Sequence, residues 1–331
     1  MKIGLVKWII WAIILLALIL YPKLFGIYYT NTLVILTIYA LYAVSYNLLL
    51  GYTGLFSFGH AMFFGTAGYA TALMLTHIEG CPILVALLGG FLASVVLALI
   101  LSPIVARVAH SAFAMLHLAF SMLLFVLALK LRHITGGEDG IGGFDIPALN
   151  ILGIVSFDMT DPLSFYYFAM VVLVGTMWLT WYLTKTPFGQ IIISIRDNDK
   201  RVAYMGFKVT ETKAVVYAIA CGIAGIAGSI YAMFQNLISA ESLNVATSFA
   251  PVLMTMIGGV GTFMGPIFGS AIFALIEELT SRFTERFMLV EGLILIIVIM
   301  FFPHGFMGFI GFIVGRFKAW KVSRRATEDK A

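Results

Sequence analysis

The chain has 331 residues, 61% of them apolar and only 11% charged, against about 25% charged in soluble domains. With a mean hydropathy of +1.03 it lacks the polar surface to cover itself in water, which excludes an ordinary soluble enzyme or binding module. The formal net charge of +4 says less than where the charges fall.

The apolar runs are continuous and roughly twenty residues long, the pattern of spanning helices and not the alternation of a barrel strand. An all-α, polytopic transmembrane bundle of about ten segments is therefore expected. In chain order they are 7–22, 29–50, 55–76, 83–106, 111–131, 163–184, 214–236, 246–261, 264–280 and 288–312. The first follows Lys2 and Lys7, and Tyr21, Pro22 and Lys23 stand where a small-residue cleavage site would be, so an uncleaved span is expected. The third and eighth are short of bulky aliphatics and rich in Gly, Ser and Thr, which points to broken or re-entrant segments. Together they also suggest a diverged internal repeat.

Charge orients the bundle. Ten spans with the N-terminus inside place Lys2, Lys7, Arg107, loop 185–213 and the tail on one side, fifteen of the 20 Lys and Arg. The opposite side receives Lys23, Lys130, Arg132, Arg282 and Arg286, and its long loop 132–162 is acidic, with Glu138, Asp139, Asp145, Asp158 and Asp161. Both termini are then cytoplasmic by the positive-inside rule. No linker divides the chain: residues 1–315 read as one transmembrane domain and 316–331 as a basic cytoplasmic tail.

Catalytic and metal chemistry finds no foothold. His60, His77, His110, His117, His133 and His304 form no HExxH or other ligand spacing. Ser57 and His60 lie three apart, but Leu55 breaks a GxSxG elbow. Cys81 and Cys221 read as small buried residues. The absence of any Gly-Lys dipeptide excludes a Walker A loop, so ATP, if used, is bound elsewhere. Segments 29–50, 55–76, 83–106 and 214–236 contain no Asp, Glu, Lys or Arg, which counts against an ion-coupled carrier. Gly261, Gly265 and Gly269 form one small-residue stripe; Gly222, Gly225 and Gly228, with Ala218 and Ala232, form another. Both read as helix contacts or as the lining of a translocation interface.

The most informative connection is loop 185–213. Pro187 and Gly189 punctuate its start, Ile192, Ile195, Val202 and Met205 keep an apolar face through a polar stretch, and Gly206 is placed to stop a helix. Such an amphipathic helix either rests on headgroups or couples to a cytosolic protein.

Its residues Thr186-Pro187-Phe188-Gly189, Ile195-Arg196-Asp197-Asn198 and Ala203-Tyr204-Met205-Gly206 resemble the ATPase-contacting loop of LivM-type branched-chain amino-acid permeases. Three further stretches agree, in the family's order: the Gly-rich run 51–65, Thr135-Gly136-Gly137-Glu138-Asp139-Gly140, and Ile257-Gly258-Gly259-Val260-Gly261-Thr262-Phe263-Met264-Gly265-Pro266. The resemblance implies a permease subunit of an ABC importer in a bacterial inner membrane. Its partners would be a second LivH-like permease, two cytosolic ATPase subunits that hold ATP and Mg, and an extracytoplasmic solute-binding protein. No nucleic acid and no cofactor on this chain are implied. Arg196, Asp197, Asn198, Lys200, Arg201 and Gly206 would serve ATPase coupling. Ser57, Gly59, His60, Gly65, Gly258, Gly259, Gly261 and Gly265 would serve the pathway or helix packing. The chain departs from the family at Phe56, where Gln or Ala is common, and at Ala67-Gly68-Tyr69, where Ala is common. Phe56 would narrow or reshape the pathway. That leaves branched-chain amino acids beside urea, short amides or other amino acids as cargo, and a stand-alone carrier or channel as the remaining class.

Overall fold

The computed structural model describes residues 26–105, 107–108, 110–151, 155–283, 287–301 and 305–308. The expected span 7–22, the tail 316–331 and Arg286 lie outside the described residues, and the segment 288–312 is described only in part. Helix α1, Ile27–Asn47, widens into a π turn, Leu48–Tyr52. Then come α2, Ala61–His77; α3, Ile83–Val105; and α4, His110–Lys130. The connection that follows holds the short α5, Arg132–Thr135, and strands β1, Ile141–Gly142, β2, Leu149–Ile151, and β3, Val155–Phe157. Helices α6, Pro162–Lys185, α7, Pro187–Tyr204, and α8, Val209–Gln235, lead to β4, Leu237–Ile238, and a 3-10 turn, Ala240–Leu243. Helices α9, Val245–Gly258, α10, Gly265–Phe283, and α11, Phe287–Phe301, close the described chain.

Among the described residues, five helical stretches are long and apolar enough to cross a bilayer: Ile27–Tyr52, Ile83–Val105, Ser111–Lys130, Pro162–Lys185 and Val209–Gln235. The first and last are 72% buried within the chain, against 33% and 28% for Ile83–Val105 and Ser111–Lys130. So α1 and α8 form the centre, while α3 and α4 leave rows such as Leu88, Leu92 and Val96, or Met122, Leu123 and Val126, on the outside.

The two weak segments are indeed shortened. Helix α2 does not begin at residue 55: residues 54–60 are non-helical, with Gly54 at φ +72 and helix starting only at Ala61. Glycines at 54 and 59 and the aromatic Phe56 and Phe58 disfavour helix there. Helix α9 has 14 residues, about 21 Å, well short of the bilayer's hydrocarbon core of about 30 Å.

Small residues bring backbones together, with one correction. Gly225 faces Ser94 of α3 first and Ala67 of α2 next, and Gly228 faces α2, where a Cβ would collide with the Phe64 carbonyl oxygen. Gly261, Gly265 and Gly269 are not one helical stripe. Gly261 sits in the turn between α9 and α10 at φ +74, Gly265 opens α10, and Gly269 faces the Met254 carbonyl across the hairpin. A 3.6-residue period cannot run through a turn.

The two ends of the bundle differ. One gathers the end of α1, the α9–α10 turn and α7. The other carries the 131–161 connection, where β1 pairs antiparallel with β4 through Ile141 with Ile238 and Gly142 with Leu237. Helix α1 therefore ends where α8 begins, and the two central helices run in opposite directions.

Candidate functional site

Helix α7 is amphipathic as its spacing requires. Its N-cap Thr186 accepts from Gly189 N, and Ile192, Ile195 and Val202 are buried. Met205, expected on the same face, is instead 68% exposed. The cause is a break at Asn198, whose φ of −163° and ψ of 97° are extended. Its Oδ1 accepts from Arg201 N at 3.0 Å, so Asn198 ends one helix and caps the next.

The helix that Asn198 caps is anchored at its root and bare at its tip. Lys213, the fifth residue of α8, donates to Asp199 Oδ2 at 3.3 Å with its side chain only 7% exposed. Lys200 and Arg201 are exposed. Gly206 reverses the chain at φ +89. Around it Tyr204 is 90% and Phe207 43% exposed. Sequence reasoning missed these two; two aromatics and a Met within four residues of a charged loop were the available signal. Tyr204, Met205 and Phe207 together give this end an exposed apolar surface, of the chemistry that rests on lipid headgroups or on another protein. Beside it Glu211 bonds Lys208 at 2.9 Å and holds its ammonium above the usual range. At the opposite end of the bundle, bonds from the Thr160 hydroxyl and amide hold the Asp158 carboxyl below its usual range.

Arg196 turns back toward the bundle. Its Nη1 donates to Gly51 O at 2.7 Å, inside the π turn, and its Nη2 bonds Asp197 at 3.1 Å. Next to it Asn47 binds the α9–α10 turn twice: Nδ2 donates to Thr262 O at 3.0 Å, and Oδ1 accepts from Gly261 N at 2.9 Å. Asn47 and Arg196 thus clamp the end of α1, the turn and α7 into one unit. Gly258, Gly259, Gly261 and Gly265 belong to this region; Asn47 was not foreseen, because its partners are more than 200 residues away in sequence.

Ser57, Gly59, His60 and Gly65 form a second region, enclosed by the chain's own residues. Ser45 Oγ gives its hydrogen to Tyr42 O at 2.6 Å, so His60 Nε2 is the donor in their 2.9 Å contact. His60 Nδ1 is then an acceptor, buried and without a partner among the described residues. Tyr46 donates to Ser57 O at 3.1 Å, and Ala61 N donates to Ser248 Oγ of α9 at 2.9 Å. Farther along, His117 Nδ1 donates to Phe113 O at 2.8 Å and Nε2 accepts from Tyr217 at 2.7 Å. The shortened helices α2 and α9 therefore start side by side, deep in the bundle. Among the described residues no three His, Cys, Asp or Glu are grouped to hold a metal.

Residues 28–299 match the family described as branched-chain amino acid transport system / permease component. The chain is 26% identical over 289 residues to the high-affinity branched-chain amino acid transport system permease protein LivM of Salmonella typhimurium, covering 82% of this chain and 68% of the relative. It is 26% identical over 279 residues to the probable LivM permease of Methanocaldococcus jannaschii, covering 73% and 78%. It is also 22% identical over 283 residues to the permease protein LivH of Escherichia coli, covering 82% and 91%. No solved structure matches.

Proposed function

The chain belongs to the branched-chain amino acid transport system permease family, and from that premise we propose that it is one permease subunit of an ABC importer for branched-chain amino acids. It works as a transport subunit and not as an enzyme. ATP and Mg are held by two cytosolic ATPase subunits, and a solute-binding protein delivers the cargo from the far side. That LivM-type and LivH-type relatives both align with more than four-fifths of this chain supports a second, related permease as its neighbour. A pair of related subunits would enclose the route between them. The positive charge of loop 185–213 supports an inner-membrane orientation with α7 and both termini in the cytoplasm, and with about ten segments in a single domain over 1–315.

The observation that carries this reading is α7. It is an amphipathic helix outside the spans, tied to α8 by Lys213 and Asp199 and to α1 by Arg196. At its far end it presents Tyr204, Met205 and Phe207 to a partner. Force applied at that tip reaches the ends of α1 and the α9–α10 hairpin through Arg196, Gly51 and Asn47. A carrier or channel that works alone has no use for such a tip.

The test is uptake of leucine, isoleucine and valine into proteoliposomes holding the chain with its second permease and ATPases, with loaded binding protein outside. Gly206→Arg should abolish ATP-dependent uptake while the chain still inserts. Normal uptake by that variant, or uptake indifferent to ATP, would overturn the assignment.

A further inference from the structure

Backbone that is neither helical nor part of a closed barrel cannot face lipid, because its amide and carbonyl groups find no partners there. At bilayer depth it occurs only where protein covers it or where it lines a water-filled cavity. Residues 54–60 are such a segment. Tyr46 meets Ser57 and Ser45 meets His60, so the segment climbs back beside α1 from the turn at Tyr52. A Cβ on Gly59 would strike the carbonyl of His117, the eighth residue of α4. Seven residues of helix put that point about 10 Å in from the helix start.

The segment alternates like a strand. Leu55, Ser57 and Gly59 are buried within the chain, and Gly54, Phe56 and Phe58 are half-buried on the outer side. The Phe56 and Phe58 ring centres are 4.7 Å apart, and Phe58 lies 5.4 Å from Phe249 in the first turns of α9. The patch is thus built from both shortened segments, where Ala61 N binds Ser248 and joins their starts. Acyl chains on its outer side would leave the backbone that carries Phe56 and Phe58 without hydrogen-bond partners, so that side faces either protein or a water-filled route.

We propose that Phe56, Phe58 and Phe249 line the translocation route and form an aromatic constriction past which the apolar side chain of the cargo moves. This rests on the transporter reading above and names the surface that reading leaves open. Three neutral rings offer dispersion contact and no hydrogen bond, which suits an aliphatic side chain better than a polar one.

The experiment uses the assembled importer in proteoliposomes, with Phe56→Cys, Phe249→Cys and, on exposed apolar faces of the long helices α3 and α6, Leu92→Cys and Val174→Cys. The native Cys81 and Cys221 are buried and set the background. The probe is a charged, membrane-impermeant methanethiosulfonate. Phe56→Cys and Phe249→Cys should react at least tenfold faster than the two controls in one of the nucleotide-free and vanadate-trapped states, and the rate should differ several-fold between the states. Rates equal to those of Leu92→Cys and Val174→Cys in both states would overturn the proposal. If a Phe variant fails to assemble, Ala246→Cys, one turn before Phe249, reads the same surface by the same criterion. Leucine uptake by the unlabelled parent importer, measured in parallel, tests the transporter reading separately, since labelling does not depend on which cargo moves.

Discussion

Two side-chain contacts tie α7 to α8 and the α9–α10 turn to α1, and they make separable predictions. Lys213 is 7% exposed and Asp199 39% exposed in their 3.3 Å pair. Removing the carboxylate in Asp199→Ala leaves an ammonium in an enclosed place, whereas Lys213→Met leaves a carboxylate that water can still reach. Asp199→Ala should therefore cost about 1–3 kcal/mol, less than a fully buried pair because water screens one partner. Lys213→Met should cost less, and the double variant should recover most of the loss. Thermal unfolding in detergent, run as a double-mutant cycle, reads this directly, and equal losses for the two single variants would contradict it. Asn47→Ala should act differently. It strips two hydrogen bonds from the α9–α10 turn, so stability falls by about 1–3 kcal/mol. Transport per ATP hydrolysed should fall further, because the turn is no longer joined to α1. Uptake and phosphate release measured on one preparation would show that split. A proportional drop in both would reduce Asn47 to a structural role.

At the scale of elements, close approach decides what a glycine is for. Gly→Ala inside an exposed helix normally stabilises by up to about 1 kcal/mol. Gly175 on α6 has none of the described residues within 4 Å of its would-be Cβ, so Gly175→Ala should follow that rule. At Gly228 the methyl would meet the Phe64 carbonyl, so Gly228→Ala must push α8 off α2 and should lose about 1–3 kcal/mol. Matched melting curves with opposite signs are the expected result. The same comparison shows what sequence could and could not reveal. The apolar runs located four of the five long spans to within two residues and missed only the polar first turn of the fifth, which starts at Val209 and not at 214, since a bilayer reads only length and hydropathy. The Gly222–Gly228 stripe and the amphipathic face of α7 were legible too, because both are local periodicities. The start of α2 was misplaced by several residues, because composition does not say where a Gly- and Phe-rich run leaves the helix. The stripe through Gly261, Gly265 and Gly269 was spurious, because equal spacing in sequence does not survive a turn. The Asn47 clamp and the exposed Tyr204 and Phe207 depend on contacts, or the lack of them, that only the packed chain defines.

Across the whole molecule, α1 and α8 run in opposite directions, and each is followed by a non-helical stretch and a shortened helix. One stretch climbs from the α7 end through Phe56, Ser57 and Phe58, and the other enters from the opposite end through Ala240–Leu243, where Ser121 Oγ donates to Leu243 O at 2.9 Å. An arrangement with entries from both ends meeting inside suits a site that opens to one side at a time. Which end faces the cytoplasm then fixes the direction of import, and charge supplies the expectation: α7 inside, the acidic connection outside. In right-side-out vesicles, Asp145→Cys should react with an impermeant maleimide at once, and Ser194→Cys on α7 only after permeabilisation; both positions are exposed. The reverse pattern would put Tyr204, Met205 and Phe207 outside the cell, beyond reach of any cytosolic ATPase. The charge bias of loop 185–213 would then have to answer to something other than the positive-inside rule, and the coupling role proposed for α7 would fall with it.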